Sequence, residues 1–217
     1  LSQRAGNQYS FHVTSPIDQM AVLAVGQLNL AIGAMGGATT AIMAVLLTQY
    51  GMPVPLALLV GLAAAGLMGA INGTLVIVTG LNGFIVTLGT MTILIGVQYA
   101  LVRSFTIDAY SPTLKGFGRL NIAGIPLVFL LTIGVAVLLS VFFSRTILGR
   151  RILATGGSSN AAMLYGISNA ASTIWAFAIS GLLIGVASII TMTTLPGINR
   201  SIGGDWLLAS FAAPIIG

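Results

Sequence analysis

Charge is what this chain lacks, and the lack bounds what it can fold into. Among 217 residues there are eight Lys or Arg and three acidic residues, so charged side chains make up 5% of the chain. A soluble globular protein carries roughly 25%. A water-facing surface cannot be assembled from so few charges. Most of the surface must therefore meet lipid, which restricts the backbone to helices or a closed barrel. The apolar runs are long and continuous rather than alternating, so the expected fold class is all-α, a polytopic bundle of membrane helices. The chain holds no cysteine, which removes disulfides, thiol catalysis and Cys-based metal sites.

The apolar runs fall at 17–26, 30–48, 54–79, 84–102, 126–144, 171–194 and 206–217. The first and last are only partial, since a spanning helix needs about 20 residues. The run at 17–26 is re-entrant, interrupted or short of some of its sequence. The whole of 1–217 reads as one transmembrane domain. Polar stretches separate the runs: 1–16, a loop at 103–125 with room for a short surface helix, and a segment after Ser144 containing Arg145, Arg150 and Arg151. Gly33 and Gly37, Gly69 and Gly73, and Gly181 and Gly185 are each four apart. Small residues at that spacing let helix backbones approach closely.

The three acidic residues, Asp18, Asp108 and Asp205, lie at the edges of apolar runs. A proton- or ion-coupled carrier would be expected to hold an ionisable group at membrane depth. The excess of basic residues does not point to nucleic acid, because no Lys/Arg run interleaved with aromatics occurs. His12, the one histidine, sits among polar residues and makes a poor metal site. No G-x-x-x-x-G-K-[ST] phosphate loop or G-x-S-x-G elbow is present, so the chain is not expected to hydrolyse ATP itself or to be an enzyme. No catalytic set, cofactor or metal is expected. Basic residues alone leave the orientation tied, with Arg103, Lys115 and Arg119 on one side and Arg145, Arg150 and Arg151 on the other. The compact arginine cluster favours its own side as cytoplasmic.

What remains are uncharged polar residues within or beside the apolar runs: Gln27, Asn29, Thr39, Thr40, Asn72, Asn82, Thr87, Thr90, Thr92 and Gln98. An amide or hydroxyl in hydrocarbon needs a partner. One account is helix-to-helix hydrogen bonding, worth about 0.6 kcal/mol per pair. The other is the lining of a passage for a neutral polar solute. Residues 159–167 form a separate feature. They read as a short helix that Ser158 or Ser159 can cap and that Gly166 can end in a left-handed turn. Ala162, Met163 and Tyr165 would offer an adaptable surface to a partner, or lie on the membrane.

Several stretches resemble the permease subunits of bacterial sugar-type ABC importers, the ribose/xylose/galactose group, with branched-chain amino-acid permeases as distant relatives. Gln27-Leu28-Asn29-Leu30-Ala31-Ile32-Gly33 is similar to that family's G-G-I-D-L-S-[VI]-G. Ala70-Ile71-Asn72-Gly73 is similar to its G-[LA]-I-N-G, and Phe84-Ile85-Val86-Thr87-Leu88-Gly89-Thr90-Met91 matches its F-I-V-T-L-G-T-M. The segment from Leu148 to Gly157 resembles F-G-R-[RK]-I-Y-A-[VI]-G-G-N. Asn160-Ala161-Ala162 with Gly166-Ile167 resembles the A-A-x-x-x-G-I that follows. The blocks at 84–91 and 149–167 are the most specific, and the order holds from about residue 20 to 217.

The resemblance implies a multi-pass protein of the bacterial inner membrane that imports a small neutral solute, most naturally a monosaccharide, by alternating access. The implied partners are a second permease subunit (the same or a sister chain), two cytoplasmic ATP-binding subunits, a periplasmic solute-binding protein and membrane lipid. Carried onto this chain, Asn160, Ala161, Ala162, Met163, Leu164, Tyr165 and Gly166 become the helix that docks on the ATPase, with Arg150 on the cytoplasmic side. The passage would involve Gln27, Asn29, Asn72, Asn82, Phe84, Thr87 and Thr90. The chain departs from the pattern at Asn29, where the family has Asp, and at Gln27, where it has Gly. The family also has about eight more apolar residues between Gly26 and Gln27, enough to make 17–26 a full span. Further spans are expected before residue 1 and after Gly217, leaving the bundle incomplete at both ends. The rival readings are a stand-alone carrier or channel, a membrane-embedded enzyme and a structural scaffold.

Overall fold

The computed structural model describes residues 19–102, 106–108, 114, 116, 121–122, 125–195, 197–199, 202–204, 206 and 210. Helices dominate: α1 Ile32–Thr48, α2 Val54–Thr79, α3 Gly83–Leu101, α4 Leu127–Arg145, α5 Ile147–Gly157, α6 Ser159–Leu164 and α7 Asn169–Thr194. Four of them, α2, α3, α4 and α7, are long and apolar enough to cross a membrane, and α1 is a shorter apolar helix. Two small antiparallel ladders lie between helices. Strand β1 (Thr106–Asp108) pairs with β4 (Gly197–Asn199), and β2 (Asn121–Ile122) pairs with β3 (Ile125–Pro126). The 103–125 stretch thus contributes strand among its described residues. The partial run at 206–217, apart from residues 206 and 210, and the first two residues of the 17–26 run lie outside the described residues, as do the Asp18 and Asp205 positions.

The ends of the helices follow local chemistry. Pro53 precedes α2 and Pro55 stands in its first turn, where a missing N–H costs nothing. Asn82 caps α3 by accepting from the Phe84 N–H at 3.0 Å. Thr146 and Ser168 cap α5 and α7 in the same way. Within the helices, hydroxyls turn back on their own backbone: Thr40 donates to the Gly36 carbonyl at 2.7 Å, and Thr132 to Val128 at 3.0 Å. This is how a threonine is made tolerable in hydrocarbon.

α2 and α7 pack antiparallel in the most extensive helix pair of the structure. Their seam is built from small residues. Ala65, Gly69 and Gly73 recur every fourth position along α2 and are buried; Ala57 and Gly61 continue the repeat, Gly61 facing Met43 of α1. Gly181 and Gly185 answer from α7. A Cβ at Gly69 would run into the Phe177 carbonyl oxygen and lie 3.1 Å from the Gly181 Cα, and a Cβ at Gly73 would lie 2.9 Å from the Ile174 Cα. Backbone meets backbone because no side chain stands between. Lipid tails are as apolar as leucine, so burial alone does not drive helices together here. Close van der Waals contact does.

α1 is the inner helix. Every residue from Ile32 to Ala41 is buried, with Met35 packed in one cluster beside Ile184 and Trp206 and Met43 in another beside Met192 and Ile198. α2, α3 and α4 turn broad apolar faces outward, among them Leu59, Leu67, Ile93 and Leu138. Such a face would be a liability in water and is the ordinary surface of a membrane protein. The Gly37 end of the Gly33/Gly37 pair of α1 receives both α3, through Gln98, and the 202–204 turn. A Cβ at Gly37 would meet the Ile202 carbonyl oxygen and the Gln98 Oε1 at 2.5 Å, and one at neighbouring Gly36 would enter the Trp206 ring. After α7 and β4 the chain therefore folds back against α1, within the length of α3.

Replacing Gly69 by leucine should drive α2 and α7 apart and lower stability by about 1–3 kcal/mol or more. Gly96→Leu on α3 is the matched control, since nothing lies within 4 Å of a Cβ there. Thermal unfolding in detergent, followed by circular dichroism, should show a lower midpoint for the first variant only.

Candidate functional site

The apolar run before α1 ends in a reversal. Residues 19–23 are helical and residues 24–26 form a turn. Gly26 takes a left-handed φ of +73°. Its N–H donates to the Leu23 carbonyl at 2.8 Å and the Gln27 N–H donates to Val22 at 3.2 Å, the paired bonds of a helix stop built on glycine. The chain then doubles back, so that Gln19 comes beside Asn29. In the orientation that satisfies both ends of its amide, Gln19 donates to the Asn29 carbonyl at 3.2 Å and accepts from the Asn29 N–H at 3.3 Å. Both residues are fully buried.

The sequence-predicted path residues divide into two groups around this reversal. Gln27, Asn29 and Thr87 meet there. The Gln27 Oε1 accepts from the Gly83 N–H at 2.7 Å. The Asn29 Oδ1 accepts from the Ala31 N–H at 2.9 Å. The Thr87 hydroxyl accepts from the Leu30 N–H at 2.9 Å and donates to the Gly83 carbonyl at 2.7 Å. Asn72 reaches the same region through sulfur: its Nδ2 lies 3.6 Å from the Met35 Sδ, and the Asn29 Nδ2 lies 3.8 Å from that atom. Thr90 is half-buried and donates to the Thr87 carbonyl at 3.2 Å. Asn82 and Phe84 stand apart, exposed at the turn between α2 and α3. Gln27, Asn29 and Thr87 thus each accept from a backbone N–H at or beside the reversal, which lipid cannot solvate.

Beside the reversal lies a half-open cavity of about 220 Å³. Leu30, Gly33 and Ala34 form one wall, Met91, Ile95, Gln98 and Tyr99 of α3 a second, and the Ile202–Gly204 turn a third. Gln98, itself buried, donates from Nε2 to the Ile202 carbonyl at 3.2 Å. Sequence reasoning counted Gln98 among the polar residues that could line a passage but did not carry it into the assigned path, and it passed over Tyr99. It also passed over Gln19 and Met35. An amide inside an apolar run was the available signal for Gln19. No signal existed for Met35, whose sulfur acts only through its neighbours.

α5 and α6 close the same end of the bundle. Gly156 of α5 lies directly against the Ala24 carbonyl oxygen, with no room for a Cβ. Ile152 packs with Val25 and Ala176, and Phe142 and Phe143 lean on them from α4. α6 begins at Ser158, whose Oγ accepts from the Ala161 N–H at 3.2 Å. It ends in a second glycine stop. Gly166, at φ +74°, donates to Met163, and Ile167 donates to Ala162, both at 2.9 Å. The Asn169 Nδ2 ties the start of α7 to the Ser159 carbonyl at 3.0 Å. The segment is therefore fixed while its side chains are not covered. Leu164 is 89% exposed, Tyr165 86% and Met163 56%, against 2% for Ala162. Asn160, Ala161 and Gly166 are exposed as well.

Among curated relatives, the D-allose transport system permease protein AlsC of Escherichia coli is 30% identical over 210 residues, covering 97% of this chain and 64% of its own length. The autoinducer 2 import system permease protein LsrD of Photorhabdus laumondii is 26% identical over 202 residues, 90% of this chain and 60% of its own. A probable ABC transporter permease protein, y4mJ, of Sinorhizobium fredii is 29% identical over 198 residues, 90% of this chain and 59% of its own. The chain thus spans less than two thirds of the length of these relatives. No solved structure matches it. With these relatives, four apolar helices of spanning length and a family match over residues 19–217, it is a multi-pass inner-membrane protein, and it belongs to the family described as the branched-chain amino acid transport system permease component.

Proposed function

We propose that the chain is the transmembrane subunit of an ATP-driven ABC importer that carries a small neutral polar solute, a monosaccharide, across the inner membrane by alternating access. The observation that carries this reading is α6. Three large apolar or aromatic side chains stand almost bare on a short helix pinned at both ends between two spanning helices. Such side chains on a rigid platform suit a protein groove. The groove belongs to a cytoplasmic ATP-binding subunit, which supplies the hydrolysis that this chain lacks the motif to perform. A second permease subunit, a second ATP-binding subunit and a periplasmic solute-binding protein complete the assembly. That the relatives are permeases of D-allose and autoinducer 2 import systems supports the solute class.

The geometry supplies a route from motor to membrane. ATP binding draws the ATPases together and moves α6. Ser158 is the only residue between α6 and α5, so α5 follows. Gly156 bears on the Ala24 carbonyl, so a shift of α5 is felt at the reversal, and Leu30 and Asn29 carry it to the foot of α1. Packed interiors answer such a push by switching between discrete arrangements rather than by deforming smoothly.

In the assembled transporter, Tyr165→Ala should weaken binding of the ATP-binding subunit by about 2 kcal/mol, roughly thirtyfold in affinity. Co-purification at graded concentration reads this directly, and unchanged binding would remove the docking role. Gly156→Ala tests the route beyond the docking step. It should leave the ATPase subunit bound and hydrolysing ATP in proteoliposomes while less solute is moved per ATP. Gly157→Ala, with open space around its Cβ, should match the parent. Equal stoichiometry in both would cut α5 out of the mechanism.

A further inference from the structure

Arg145, Arg150 and Arg151 take no part in the coupling route, and all three are exposed. We propose that the corner between α4 and α5 binds an anionic phospholipid, with an acyl chain along the outer face of α4 and the phosphate held by these arginines. The inference needs only that the chain spans a membrane, and it stands apart from the importer reading.

The corner is closely built. Thr146 alone separates α4 from α5, and its hydroxyl donates to the Phe142 carbonyl at 2.7 Å. A Cβ at Gly149 would run into the Phe142 carbonyl oxygen and lie 2.6 Å from the Phe143 Cα. The first turn of α5 is thereby held against the last turn of α4, and the three arginines stand in or beside those two turns. Gly149, Ile152 and Thr155 form the buried side of α5. Ile147, Arg150, Arg151 and Ala154, spaced three and four apart, form the opposite side and are exposed. On α4, Leu131, Gly134, Leu138, Val141 and Arg145 recur at the same spacing and are exposed, so one apolar stripe ends on a cation. A Cβ at Gly134 would meet nothing within 4 Å. One leaflet is about 15 Å deep, or about ten helical residues. Leu138 and Val141 therefore flank an acyl chain whose headgroup is level with Arg145.

Guanidinium groups stay charged at any physiological pH. Arg145 has some help from its helix, because it stands in the last turn of α4, at the negative end of that dipole. Arg150 and Arg151 follow the first turn of α5, nearer its positive end, and that turn holds no acidic residue. The whole chain has three carboxylates against eight Lys or Arg. Asp108 lies on β1, past the end of α3 that is away from the reversal. The other two, wherever they stand, cannot balance three cations. Counter-charge for the corner therefore has to come from outside the chain. A phospholipid brings it to the place where cations and apolar stripe adjoin. An acidic protein surface would match the arginines but not the stripe, which runs on into the bilayer.

The complete protein, purified in detergent at low ionic strength, is titrated with phosphatidylglycerol or phosphatidylcholine of the same acyl chains. Bound lipid is counted by native mass spectrometry. The parent should bind phosphatidylglycerol at least about tenfold more tightly than phosphatidylcholine. Arg145→Gln, Arg150→Gln and Arg151→Gln should each weaken phosphatidylglycerol about fivefold, the worth of one cation near a charged membrane, and leave phosphatidylcholine unchanged. The triple glutamine variant should lose the preference, and the triple lysine variant should keep most of it. Leu138→Ser should weaken both lipids alike. Millimolar inorganic phosphate should not displace phosphatidylglycerol. Melting temperatures establish that the variants are folded, and the single variants decide the matter if the triple one is not. Equal affinity of the parent for the two lipids, or an unchanged preference in the folded glutamine variants, overturns the proposal. Displacement by inorganic phosphate overturns it too, since that marks a site for free anions. So do glutamine variants that keep the lipid preference but release a cytoplasmic ATP-binding subunit, since that marks a protein interface. None of these results bears on what the chain transports.

Discussion

A backbone amide in hydrocarbon has no water to turn to, and every departure from helix in this protein has to answer that fact. The reversal before α1 is the severest case. Between Leu23 and Ile32 the chain leaves helical geometry at the foot of the bundle. Each unpaired group there would cost several kcal/mol. The cost is met by side chains gathered from distant parts of the chain. Gln19 brackets the Asn29 peptide, Thr87 receives the Leu30 N–H, and Asn29 receives Ala31. The same set joins three elements, since Thr87 and the Gly83 N–H bonded to Gln27 both belong to α3. Satisfying the backbone and fixing the tertiary arrangement are one act.

The glycine seams follow from the same solvent. With no hydrophobic gain from bringing two apolar helices together, affinity comes from how closely their backbones fit. The α2–α7 pair meets that demand with a four-residue repeat of Ala and Gly. α1 meets it differently, by offering Gly36 and Gly37 to a ring and a turn. Side chains of ordinary size face outward instead, which is why the exposed faces of α2, α3 and α4 look like the core of a water-soluble protein.

Much of this was legible in the residues. Length and lack of charge gave the helical class, because a run of about 20 apolar residues has few other homes. Ser158 and Gly166 bracketed α6 because capping is local chemistry, written within a few positions of where it acts. The Gly69/Gly73 and Gly181/Gly185 pairs announced close packing, though not that they face one another. What could not be read was anything joining distant positions. Nothing around Thr87 tells that its hydroxyl serves Leu30, 57 positions earlier. Gly33 and Gly37 carry the spacing of a helix contact, and they receive the 202–204 turn beside a side chain of α3, because spacing states how close a neighbour comes and not what it is. Gln27, Asn29 and Thr87 looked like a lining for solute. That each of them also holds backbone could not be read, nor that an open space lies one layer away, beside Gln98.

A side chain that holds the reversal has one of its polar atoms committed to the fold. Ala24 touches α5 at one end of the reversal and Leu30 lines the cavity at the other. In the route proposed above, the bonded segment between them carries a push at Ala24 toward Leu30. In the importer proposed above, the polar atoms at the reversal serve as holders of backbone. They convert a soft stretch of chain into a strut.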